Sequence, residues 1–362
     1  MNSIGTALKL TLSGSSHGPG VGCVLDGCPA GLMISQEMIQ KEMDLRRPSK
    51  GIGTARMEED RVQVQSGIVN DLTTSGPIQL FIANRDTDSS KYERFRTVPR
   101  PGHADYPAQI KYGEAHDIRG GGQFSGRMTA PIVAAGAIAK ALLDTKGIKL
   151  AAYSQAIGSV VDPDEHPFPE VQQNPRKFSV RAASSKMATL MEKEILKAKA
   201  ENDSVGGVVR CLCIGLPVGV GEPFFDALDG ELAKMLFAIP AVKGVEFGAG
   251  FRAAGMRGSQ HNDPFQVSEG KVITTTNNAG GVLGGMSNGM PLDFKVAFKP
   301  TASISQEQKS VDLSKMENAT LRIEGRHDPC IVPRAVVVVE AMLAITLGDF
   351  ALRAGMIPRV IK

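Results

Sequence analysis

Residues 130–143 and 335–352 carry apolar side chains at nearly every helical position instead of along one stripe. A helix on a protein surface needs only one apolar face; one that is apolar all round must be covered on more than one side. The two segments therefore predict helices in the middle of a layered structure. Residues 8–12, 62–68, 208–214 and 292–298 alternate apolar and polar, the pattern of half-buried strands in sheets with one covered face. Further helical periods run over 187–200 and 225–237, and the polar, proline-containing stretch 161–177 reads as a long surface loop. No repeat or charge block divides the chain, so all 362 residues read as one domain.

Charge and cysteine usage narrow the function classes. A net charge of +3 and an aromatic content of 5% supply neither the basic excess nor the stacking platforms of a nucleic-acid binder. Arginines still cluster locally, at Arg46 and Arg47, at Arg94, Arg96 and Arg100, and at Arg119 and Arg127, which points to small anions. The start, MNSIGTALKLTLSGSSHG, lacks a basic segment followed by an apolar one, and no apolar run reaches the roughly 18 residues of a membrane span. A cytoplasmic protein with no membrane partner is expected. Cysteines 23, 28, 211, 213 and 330 form no CxxC pair, so five reduced thiols are expected, with neither zinc nor another metal.

Chemistry-bearing residues gather in a few blocks. Four of six histidines lie among Gly, Arg, Ser or Asp: His17 in SGSSHGPG, His103 in RPGHAD, His261 in GSQHND and His327 in GRHDPC. Histidine suits acid–base work, and its concentration in such segments argues against packing roles. DIRGGGQFSGR, residues 117–127, sets three glycines and two arginines before the predicted central helix, as an anion cradle would. A glycine turn that only permits close packing is the alternative, and the arginines favour the cradle. The loops 299–303 (KPTAS) and 277–289, the latter with five glycines, suit either ligand contact or a plain turn. Gly248-Ala-Gly250-Phe-Arg-Ala253 and the glycines after His17 have no βαβ context, and no P-loop motif occurs.

Together these blocks resemble the chorismate synthase family, in order from residue 4 to residue 352: SGSSHG, RPGHAD, RGGGQFSGR, RGSQHND, TNNAGGVLGGMSNG, KPTAS and GRHDPC. The resemblance implies an α+β fold, a single-domain β-α-β sandwich of two sheets around central helices, assembled as a homotetramer. It implies a lyase that uses reduced flavin mononucleotide (FMN) in a 1,4-anti elimination of phosphate from 5-enolpyruvylshikimate-3-phosphate. The product is chorismate, at the last common step toward the aromatic amino acids.

Flavin contacts are implied at Gln123, Phe124, Ser125, Pro240, Ala241, Gly284, Lys299, Pro300, Thr301, Ala302, Ser303 and Arg326. Arg46, Arg127 and Arg47 would hold the substrate's anionic groups, His103 would protonate the leaving phosphate, and His17 would stand at the flavin's N1/O2 edge. Asp328, with Ser16 and Ser125, would help relay the ring proton. The family pattern has other residues at Ser15, Gln123 and Ile52, and Lys50 or Arg56 are the candidates to replace an arginine expected at Ile52. The flavin could be reduced by NADPH on the protein itself or by an external flavin reductase. Two competing readings are a flavin oxidoreductase that consumes reductant and a non-catalytic RNA-binding protein.

Overall fold

The two segments that are apolar all round form helices Thr129–Asp144 and Val332–Arg353, buried along nearly their whole length. The computed structural model describes residues 2–48, 51–53, 59–85, 88–90, 92–325 and 327–362. The helices pack directly on each other, and a Cβ placed on Gly136 would sit 2.6 Å from the Ala341 Cα. Only glycine allows that approach. Val332–Arg353, and Gly126–Asp144 when the preceding 3₁₀ turn is included, are long and apolar enough to cross a bilayer, yet 94% of the apolar window in Val332–Arg353 is covered by protein, so its apolarity answers to the core.

A sheet closes each side of the pair. The first has the strand order Ser3–Ile4, Lys9–Gly14, Gly20–Asp26, Ile78–Ala83, Val62–Ser66, antiparallel throughout. The second runs Val242–Phe247, Leu292–Phe298, Gly207–Ile214, Lys149–Ile157, Val160–Val161, also antiparallel. Helix Thr129–Asp144 lies against the first sheet and helix Val332–Arg353 against the second. Leu10, Val21 and Ile82 of one sheet thereby join Val209, Phe294 and Val296 of the other in one apolar cluster through the helices. This is the expected α+β architecture of two sheets around central helices. Asp349 ties the layers together: its Oδ1 accepts from the backbone N–H groups of Thr6, Ala7 and Leu8 at 2.9, 2.6 and 2.8 Å.

Two readings of the sequence need correction. The stretch 161–177 contains helix Phe168–Gln173 and a 3₁₀ turn at Asn174–Arg176. Its buried apolar side chains are Val171, which packs on Ala151, Tyr153 and Ala183, and Pro175, too sparse a pattern to register as a period. The strand expected over 62–68 ends at Ser66, and Ile68–Val69 pairs instead with Leu72–Thr73 as a separate hairpin.

Gly136→Val should destabilise the fold by about 1–3 kcal/mol, the usual cost of overfilling a packed interior. The measurement is urea unfolding, where the midpoint falls while the slope is unchanged. A wild-type midpoint would contradict the close helix crossing.

Candidate functional site

Both central helices begin at one cleft of about 630 Å³, whose walls include Arg46, His103, Phe124, Arg127, Lys299 and Asp328. The approach to helix Thr129–Asp144 shapes one wall. Gly120, Gly121 and Gly122 take φ values of 60°, 82° and 53°, left-handed conformations open to glycine without strain. Side chains there would also collide: a Cβ on Gly120 would stand 2.7 Å from Ser16 Oγ and overlap the His17 ring, and one on Gly122 would overlap the Asp117 carbonyl. The close-packing role of these glycines is thus visible in the chain itself. The turn delivers Gln123, Phe124 and Ser125 to the cleft, and Ser125 Oγ accepts the Arg127 backbone N–H at 3.3 Å.

RPGHAD folds into an oriented imidazole. Asp105 opens helix Asp105–Tyr112 with its carboxylate 1% exposed. The His103 Nδ1 lies 2.6 Å from Asp105 Oδ1, and the Arg100 guanidinium donates to both carboxylate oxygens at 2.7 and 2.8 Å. The carboxylate assigns the proton to Nδ1 and leaves Nε2 as the nitrogen able to serve a ligand. Burial pushes the Asp105 carboxyl upward, but hydrogen bonds from Arg100 and His103 outweigh it and hold the group below the ordinary carboxylate range. Arg100 also donates to Ser303 Oγ at 3.3 Å, which ties this block to the KPTAS loop.

A second charged group centres on Asp60. Its carboxylate pairs with Arg46 at 2.9 Å and with Arg127, and all three residues are under 9% exposed. Arg46 donates further to Thr129 Oγ1 and the Gly126 carbonyl, both at 3.0 Å, and Arg127 to Asn84 Oδ1 at 3.0 Å. Burial, with the neighbouring Arg334 charge, lowers Arg46 to about 9 against the opposing pull of Asp60, which leaves it a cation at neutral pH. Arg334 pairs with Asp328 at 2.6 Å and donates to the Arg46 carbonyl at 3.1 Å.

The remaining expected site residues divide. Pro240, Ala241, Lys299, Pro300, Thr301, Ala302 and Ser303 line the cleft with Gln123, Phe124 and Ser125. His17 and Ser16 lie behind Gly120, where His17 Nδ1 sits 2.8 Å from Ser89 Oγ and its ring meets Tyr92 edge-on. Arg47 and Gly284 are not on the cleft walls: Arg47 pairs with Asp44 at 2.9 Å, and Gly284 belongs to the hairpin of Val282–Leu283 and Met286–Ser287. In the same glycine-rich run, Gly280 and Gly281 press against the chain's own Asp293 and Pro291 carbonyls. Arg326, Lys50 and Arg56 lie outside the described residues, and Ile52 is part of the apolar core. Asp60, Asp105 and Arg334 were given no role from sequence; only Asp105 stands inside a recognised block.

One part of the cleft suits a flat aromatic ring with an anionic tail. Phe124, Pro240, Ala241, Ile331 and Val338 provide apolar surface, and Lys243 and Lys299 stand beside it. Burial, and then the Lys243 charge, lower the pKa of Lys299, whose Nζ donates to the Gly102 carbonyl at 2.9 Å. Thr301 Oγ1 is buried without a hydrogen-bond partner among the described residues, as a hydroxyl reserved for a ligand would be.

Comparison with known proteins accords with this geometry. The family model for chorismate synthase matches residues 8–352. A chorismate synthase of Dehalococcoides mccartyi is 53% identical over 366 residues, covering 100% of this chain and 99% of its own length. Those of Archaeoglobus fulgidus and Korarchaeum cryptofilum are 49% and 48% identical, over 99% and 97% of this chain and the same shares of their own. A crystal structure of chorismate synthase superposes with a TM-score of 0.77 at 31% identity, covering 97% of this chain and 93% of that one. The chain belongs to the chorismate synthase family, lyases of aromatic amino-acid biosynthesis.

Proposed function

We propose that this cleft is where the chain performs its family's reaction, the 1,4-anti elimination of phosphate from 5-enolpyruvylshikimate-3-phosphate, with reduced FMN as the flavin. The observation that carries the reading is the convergence, in one cleft, of a carboxylate-oriented imidazole, paired guanidinium groups and a buried aspartate. Gln123, Phe124, Ser125, Pro240, Ala241 and residues 299–303 would hold the flavin, the lysines facing its phosphate. When bound, the reduced ring supplies electron density to the substrate as phosphate departs, with no net transfer of electrons.

The chain's own residues do the rest. Arg46 and Arg127 grip carboxylate or phosphate, since guanidinium forks match planar anions. As an imidazolium held at Nδ1 by Asp105, His103 donates its Nε2 proton to the departing phosphate, which otherwise leaves as a more highly charged ion. Asp328, fixed by Arg334 at 2.6 Å, takes part in carrying the C6 proton away, with Ser125 and Ser16 as hydroxyl links. His17, behind Gly120, would serve the flavin's polar edge.

Gly284 is off the cleft of its own chain, so the flavin contact that the family pattern implies for it would come from a neighbouring subunit. Phe224 and Phe225, 88% and 96% exposed on the segment that packs beside its hairpin, suit an interface between copies of the chain, and the proposed assembly is the family's homotetramer, in the cytoplasm. NADPH on the same protein or an external flavin reductase keeps the flavin reduced.

An anaerobic assay with reduced FMN and the enolpyruvyl substrate should release phosphate and chorismate in equal amounts without stoichiometric loss of reductant. Reductant consumed in step with phosphate would favour a flavin oxidoreductase, and an NADPH-only arm separates self-reduction from an external source. His103→Ala should lower turnover by roughly 10²–10⁴ while flavin binding survives; full turnover removes His103 from the mechanism.

Asp105 makes a pH-dependent contribution to stability. Its folded carboxyl titrates below the unfolded value of about 3.9, so the stabilisation is complete above that pH and lost as pH falls through the lower folded value. Asp105→Asn should therefore flatten the decline in urea midpoint below about pH 4 relative to wild type. Parallel curves for the two proteins would contradict the pairing.

A further inference from the structure

We propose that Asp60 is a positioning residue for the family's reaction: its carboxylate locks Arg46 and Arg127 into one preset receptor for the substrate's anionic groups. The proposal rests on the reading of those two arginines as the substrate grip. Asp60 is 6% exposed, lines the cleft beside both arginines and touches each through a different oxygen.

The remaining nitrogens of both guanidiniums are tied as well. Arg46 Nε is held by Thr129 and its Nη2 by the Gly126 carbonyl; Arg127 Nε is held by Asn84 and its Nη2 by the Ala83 carbonyl at 3.3 Å. Each of those partners serves one arginine, whereas Asp60 serves both. It alone among these contacts fixes one plane relative to the other. A free arginine side chain carries about 2 kcal/mol of rotamer entropy, so groups fixed before the substrate arrives lose less on gripping it.

The backbone at Asp60 adds to the case. Its φ is 47°, a left-handed conformation that Asp and Asn tolerate better than most side chains. A residue held this way at a cleft fits a local constraint retained for the position of its carboxylate. A role limited to neutralising buried positive charge makes the opposite kinetic prediction. Loss of the carboxylate would then leave two cations in want of an anion, and the substrate would bind more tightly.

Asp60→Asn decides between them, because Asn keeps the shape and the left-handed backbone while removing the charge. Its amide presents one oxygen, so only one guanidinium stays in place. The KM for 5-enolpyruvylshikimate-3-phosphate should rise between about 10- and 100-fold, with kcat changed less than about threefold, since the grip serves ground and transition states alike. Flavin affinity, followed by absorbance, should stay at the wild-type value, and circular dichroism reports the fold. Asp60→Glu, which keeps the charge but moves it outward by one methylene, should show a smaller rise; if the Asn protein does not fold, this variant decides. A folded variant of either kind with an unchanged or lowered KM overturns the proposal. Arg127→Ala separates the two levels of argument. If its KM does not rise, the substrate-grip reading itself fails; if it rises while that of Asp60→Asn does not, only the role of Asp60 falls.

Discussion

The direct packing of helix Thr129–Asp144 on helix Val332–Arg353 is the constraint on which the rest of the molecule depends. Gly136 and Ala341 bring the two backbones together without intervening side chains. Seven residues upstream of that contact, each helix has reached the cleft, one at Thr129 and the other at Arg334. The N-terminal ends of both helices therefore open on the same space, and the partial positive charge of two helix ends adds to the side chains gathered there. A shift of one helix along the other would separate Arg127 from Asp328 and divide the site.

The cleft must attract anions while holding carboxylates of its own. Asp60, Asp105 and Asp328 are each paired with at least one arginine, through Arg46 and Arg127, Arg100, and Arg334. An unpaired buried carboxylate would take up a proton or repel the substrate, and pairing prevents both. With Lys243 and Lys299 added, cations outnumber carboxylates in and behind the walls, so the local field favours a multiply charged ligand. The chain's small net charge of +3 gives no hint of this concentration.

What the sequence disclosed follows from how local each signal is. Both central helices were legible because their apolar period has no polar face, and Leu292–Phe298 because it alternates strictly between buried and half-buried positions. Gly20–Asp26 escaped notice because it is buried almost continuously, and a run without alternation carries no strand period. At the site, His103, Ser125 and Arg127 stood in compact blocks, whereas Asp60 meets Arg127 across 67 positions of chain. No window of sequence shows that partnership. For Gly280 and Gly281 the sequence left ligand contact and a plain turn open, and both press on the chain's own Asp293 and Pro291 carbonyls.

The site also draws on both sheets. Arg127 is anchored to Ala83 and Asn84, at the end of a strand of the first sheet, while Lys299–Ser303 continues from Leu292–Phe298 in the second. The two sides of the cleft thus draw on different layers, and the helix pair between the sheets sets their separation. His103 belongs to neither sheet, yet Arg100 bonds it, through Asp105, to Ser303 of the second-sheet wall. The imidazole is therefore registered to the second-sheet side of the cleft, and the Arg127 guanidinium to the first. On the proposed reading, phosphate departure would need both groups at once, and the thickness of the sandwich interior would then enter the geometry of the reaction.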